Sequence, residues 1–106
     1  MGMYLMPDPR IFPIVSVNDT FFTVTGVSQI CLAENPDRGD ADFINDSTDV
    51  IYLARGNAAV IGSGIRLNPK GGSYHIGTDN LFYGDIYAIN DDAQNDSNLC
   101  ISEVDA

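Results

Sequence analysis

Short runs of β-branched and aromatic residues recur about every 8–12 residues along this chain, and Gly, Pro, Asn or Asp closes each of them. No stretch keeps the apolar spacing of a helix between capping residues. That rhythm predicts an all-β fold, a single antiparallel β-sandwich or small barrel of jelly-roll or Ig-like type with about eight short strands. With 106 residues the chain has the length of one domain and room for a thin two-layer core.

Residues 1–10 read as an N-terminal arm, because Pro7 and Pro9 interrupt an apolar start that has no strand or helix period. Residues 11–106 read as the sandwich domain. In "IFPIVSV", residues 11–17, Pro13 lacks an N–H and predicts an edge strand. Asn18-Asp19 predicts a turn, and residues 20–33 a strand kinked or bulged at Gly26, with Phe22 and Val24 on one face and Thr23 and Thr25 on the other. "ENPDRGD" reads as a break, "ADFIND" and "VIYLA" as strands, and "AAVIGSGIRL" as two short strands around Gly62 and Gly64. "NPKGG" predicts a turn with Pro69 at its first bend and glycines at positive φ. "SYHI", "DIYAI" and "LCISEV" complete the set, the last two separated by "NDDAQNDSN".

Fifteen acidic residues face five basic ones, for a net charge of -10. Binding through nucleic-acid phosphates needs clustered Lys and Arg, so this balance argues against nucleic acid as a partner and against anionic membrane surfaces. It favours solubility and repels non-specific neighbours. Thirteen of the acids are Asp, a residue that bonds its own backbone in turns, so much of the acidity is expected in loops. "MGMYLMPDPR" lacks a signal peptide's basic start and apolar stretch, and no apolar run approaches the ~20 residues of a membrane span. Synthesis and folding in a reducing cytoplasm are therefore expected. Cys31 and Cys100 read as two buried thiols, with a disulfide between two strands as the alternative.

The chain carries no evident catalytic kit. His75 is its only histidine, and neither a second His nor a Cys spacing for zinc accompanies it. Ser73 lies two residues away on the same strand face, poorly placed for a triad. "GSGIRL" and "PKGG" lack the full phosphate-loop spacing and read as turns. Asp91, Asp92 and Asp96 offer oxygen ligands for calcium, but their spacing is not that of an EF-hand loop and a solvated loop explains them. Arg38-Gly39-Asp40 spells an adhesion tripeptide that a turn suffices to explain. The reading is of a protein that is not an enzyme and holds no cofactor and no metal.

Residues 35–104 carry an ordered set of short motifs. These are Asn35-Pro36-Asp37-Arg38, Ile44-Asn45, Ile51-Tyr52-Leu53, Gly56, Gly64-Ile65-Arg66-Leu67, Pro69-Lys70-Gly71-Gly72 and "LFYGDIYAI" at 81–89. In order and spacing they resemble a family of small β proteins from tailed bacteriophages, although the closing "LCISEV" departs from that pattern. The resemblance implies a virion structural protein, a capsid decoration (cement) protein that binds the outer head surface and reinforces the shell. A tail, collar or head-fibre component is the nearest alternative. A carbohydrate-binding module is a further one, weakened by the absence of Trp. The implied partner is the major capsid protein, and a homo-oligomer, a trimer by analogy, is expected on the virion's outer capsid surface. The residues expected to touch the capsid or a neighbouring subunit are Met3, Tyr4, Leu5, Arg10, Ile11, Phe12 and Ile14, in the arm and the edge strand. Tyr83 and Tyr87 are expected to pack in the core with their hydroxyls at its rim.

Overall fold

The computed structural model describes residues 16–106, which form an all-β sandwich of eight antiparallel strands in two sheets. The strands are β1 (Ser16–Val24), β2 (Gln29–Leu32), β3 (Arg38–Asn45), β4 (Ile51–Arg55), β5 (Ile65–Leu67), β6 (Ser73–Ile76), β7 (Ile86–Asn90) and β8 (Ser97–Asp105). The first sheet has the order β1-β8-β3-β6 and the second β2-β7-β4-β5. Strand β1 pairs with β8, β2 with β7, β3 with β6 and β4 with β5. The chain is thus one long hairpin folded over itself. The β3–β8 and β4–β7 ladders knit its turns into two sheets. This is the strand order of a jelly roll. Every connection except β4–β5 crosses from one sheet to the other.

Period-two alternation fills the space between the sheets. Val24, Ala41, Phe43, Ile51, Leu53, Leu67, Ile76, Ile86, Ala88, Leu99 and Ile101 are buried there. Tyr74 packs against the cluster with its ring centroid 6.3 Å from that of Phe43. Burying each large aliphatic or aromatic side chain contributes roughly 1.5–3 kcal/mol, so this thin core is the main favourable term in folding.

Several local expectations are corrected. Asn18 and Asp19 do not turn; they lie inside β1, opposite Glu103 and Ser102, and the Ser102 hydroxyl donates to the Asp19 carboxylate at 2.5 Å. The cross-strand partner takes up the side-chain bonding that would otherwise close a turn. The run over 20–33 is two strands, because the chain changes sheets at residues 25–28. Gly26 sits at that corner, where a Cβ would come 2.8 Å from the Ala93 Cα. Arg38, Gly39 and Asp40 open β3 instead of forming a turn. Only one strand, β5, forms within residues 58–67, and the segment before it is a loop with Val60 and Ile61 exposed. In "NPKGG" the positive φ falls on Lys70 (57°) as well as Gly71 (117°). Tyr83 precedes β7 and is exposed, and Tyr87 is half-buried. Cys31 is buried in β2 and Cys100 half-buried in β8; both are free thiols in different sheets.

Candidate functional site

Four polar joints hold the sheets in place and decide which surface is left outside. The first is Arg38. Its side chain is buried, with Nε donating to Glu103 at 2.8 Å, Nη1 to the carbonyls of Phe82 (2.6 Å) and Gly84 (3.1 Å), and Nη2 to that of Ala33 (2.7 Å). One guanidinium thus ties the loops before β3 and β7 to β8. The planar fork of Arg, and not the point charge of Lys, serves several acceptors at once.

Asn45 and Asn90, each following an isoleucine at a strand end, are the second and third joints. Asn45 Nδ2 donates to the carbonyls of Asp49 (2.7 Å) and Leu67 (3.0 Å), and its Oδ1 accepts from Ser47 (2.6 Å). Asn90 Nδ2 donates to the carbonyls of Val24 (3.2 Å) and Asn95 (2.7 Å) and to Ser97 Oγ (3.1 Å). The fourth is the 68–72 turn, whose Lys70 and Gly71 amides donate to the carbonyls of Ser47 and Asn45. Among the described residues no buried side-chain nitrogen or oxygen lacks a partner. The sequence places Arg38 in the Asn-Pro-Asp-Arg motif and in the Arg-Gly-Asp tripeptide but does not show that it is buried, although an arginine amid so many acids, between strand signals, marks a cation with a specific partner. The buried Asn residues carried a weaker signal: a polar residue closing an apolar strand.

The Asp-rich loop is built from Asx bonds. Asp92 accepts from the Gln94 amide (2.8 Å) and from Asn95 Nδ2 (2.7 Å), and Asp91 accepts from the Val50 amide (3.2 Å). Among the described residues no three His, Cys, Asp or Glu side chains converge as a metal site. A shallow hollow lined by Glu34, Pro36, Tyr83 and Gly84 lies above the Arg38 joint.

The candidate functional site is the outer face of the first sheet. Strand register places Phe21, Cys100, Ile44 and Ser73 in one row across β1, β8, β3 and β6. The adjacent row is Asp19, Ser102, Asp42 and His75, and the next is Val17, Val104 and Asp40. Phe21 is 67% exposed, Val17 54% and Ile44 43%. In the middle row His75 Nδ1 lies 2.6 Å from Asp42 Oδ1, which places the histidine at the surface in a hydrogen bond. Strand β1 is also an edge, and its nine pairs with β8 run without a bulge. A long edge with no bulge is a template for pairing with another chain.

The sequence-derived contact residues Met3, Tyr4, Leu5, Arg10, Ile11, Phe12 and Ile14, and the whole arm, lie outside the described residues. Of the edge strand expected at 11–17 only Ser16 and Val17 are described, and they open β1. Neither Phe21 nor Ile44, the latter part of the Ile44-Asn45 motif, is legible in the sequence as a surface contact, because strand alternation says which residues share a face but not which face is left uncovered. Comparisons with protein-family models, curated proteins and solved structures found no match.

Proposed function

We propose that this chain is a structural protein of a tailed-bacteriophage virion, a decoration protein that binds the outer surface of the head and reinforces the shell. The ordered motif set of residues 35–104 is the observation that carries this reading. Those motifs include three of the four joints, Arg38, Asn45 and the 68–72 turn, together with Gly56 and Gly64 at positive φ; the remaining joint, Asn90, follows the last motif directly. They therefore specify a rigid scaffold, which suits a mechanical role. Many copies bridging neighbouring capsid subunits would each add interface area and stabilise the assembled shell over its dissociated subunits by mass action. The excess of acid would keep decorated particles dispersed.

Copy number per particle tests the reading, by cryo-electron microscopy of the purified virion. Copies throughout the head lattice are the expected result. A handful at the neck or tail would replace decoration with a collar, tail or head-fibre role, and absence from the particle would overturn a virion role altogether.

A further inference from the structure

We propose that the outer face of the first sheet, centred on Phe21 and Ile44, docks a protein surface in which Lys and Arg side chains surround an apolar patch. The inference rests on the decoration reading, which makes that surface the exterior of the head. Its first support is composition by row. The Phe21–Cys100–Ile44 row is apolar and continuous across three strands, and Val17 and Val104 form a second apolar pair beyond the Asp19–Ser102–Asp42 row. An exposed aromatic with aliphatic neighbours on a rigid sheet has the make-up of an interface anchor.

The second support is charge. Asp19, Asp40 and Asp42 all lie in these rows; His75, 2.6 Å from Asp42, ends the middle row, and no Lys or Arg lies in any of them. The described Lys and Arg residues are elsewhere: Arg38 is buried against Glu103, Arg55 and Arg66 belong to β4 and β5, and Lys70 lies in the turn after β5. On this face Asp42 is bonded to His75 and Asp19 to the Ser102 hydroxyl, but neither faces a Lys or Arg and Asp40 lies beside them, so a partner that buried Phe21 would desolvate acidic side chains unless it supplied cations. A second copy meeting this face across a two-fold axis would oppose acid to acid, and phosphate-bearing partners would be repelled. Another exposed apolar group, Val27 and Ile30 with Val60 and Ile61, is linked by a hydrogen bond from the Ala59 N–H to Ser28 Oγ at 2.8 Å, and no charge pattern there indicates a partner.

The test uses heads of the source phage assembled without this protein, with co-sedimentation of the purified full chain. F21S/I44S and, separately, D42K should each bind at least about tenfold more weakly than the native chain. V60S/I61S should bind like the native chain, and added salt should weaken native binding. Circular dichroism and thermal unfolding establish that each variant is folded, and D42K leaves the apolar row intact should the double variant fail. Folded F21S/I44S and D42K chains that bind like the native one would overturn the assignment of this face while leaving decoration standing. A concentration-dependent oligomer in sedimentation velocity that F21S/I44S abolishes would overturn it in favour of a second copy. Failure of the native chain itself to bind would instead sink the decoration reading, and this partner with it.

Discussion

Arg38 and Cys31 show how differently a buried polar atom behaves when it has partners and when it must stay neutral. Removing the Arg38 side chain would leave the Glu103 carboxylate, 13% exposed, and three loop carbonyls without their donor. Arg38→Met is therefore expected to cost about 3–5 kcal/mol in chemical denaturation. Arg38→Lys should recover only part of that, because one ammonium cannot span acceptors on β8 and two loops. Cys31 has the opposite problem. Burial pushes its thiol from 9.0 up to about 12, against smaller lowering effects of a backbone hydrogen bond and Arg38. The folded state thus favours the protonated thiol. The associated stability, roughly 4 kcal/mol, is present in full below pH 9 and is lost as pH rises towards 12. Stability measured across that range should fall less steeply for Cys31→Ala than for the native chain. An alkylating reagent should modify the half-buried Cys100 before Cys31.

At the scale of elements, the turns differ in what fixes them. Gly62 and Gly64 flank the same loop, at φ 84° and 79°. A Cβ on Gly62 would meet nothing within 4 Å, whereas one on Gly64 would lie 2.5 Å from the Leu53 carbonyl oxygen. Gly62→Ala should therefore cost only the strain of its backbone conformation, about 1–2 kcal/mol. Gly64→Ala should cost clearly more, because β5 must move away from β4 to admit the methyl. Comparing the two melting temperatures isolates the clash from the dihedral strain. The expected pair of strands around these glycines becomes a loop and one short strand because the chain reverses there, between neighbours in the same sheet.

At the scale of the whole molecule, nearly every ladder joins segments far apart in sequence. Ser16 and Asp105 are hydrogen-bonded across 89 residues. Nested pairing of this kind makes loop closure precede most of the favourable contacts, so folding is expected in the millisecond-to-second range in stopped-flow experiments, well slower than helical proteins of this size. The sandwich also gathers a net charge of -10 into a small volume. Self-repulsion opposes compaction, and screening relieves it. Adding sodium chloride at neutral pH should therefore raise the melting temperature by a few degrees. A flat or falling trend would show that the Arg38–Glu103 pair and other local attractions dominate the electrostatics.

The sequence by itself determined the β class, the approximate strand count, the 68–72 turn and the Asp-built loops. These follow from side-chain alternation and from the local bonding of Gly, Pro, Asn and Asp, which act within a few residues. Tertiary structure alone decided that Asn18 and Asp19 continue a strand, that Arg-Gly-Asp opens β3 around a buried cation, and that Tyr83 lies outside while Phe43 lies inside. It also decided that Phe21 and Ile44 meet in one exposed row. Each of these depends on a partner dozens of residues away, such as Ser102 for Asp19 or Cys100 for Phe21. Pairing register and choice of sheet assign a residue to core or surface, and neither is written in its neighbours along the chain.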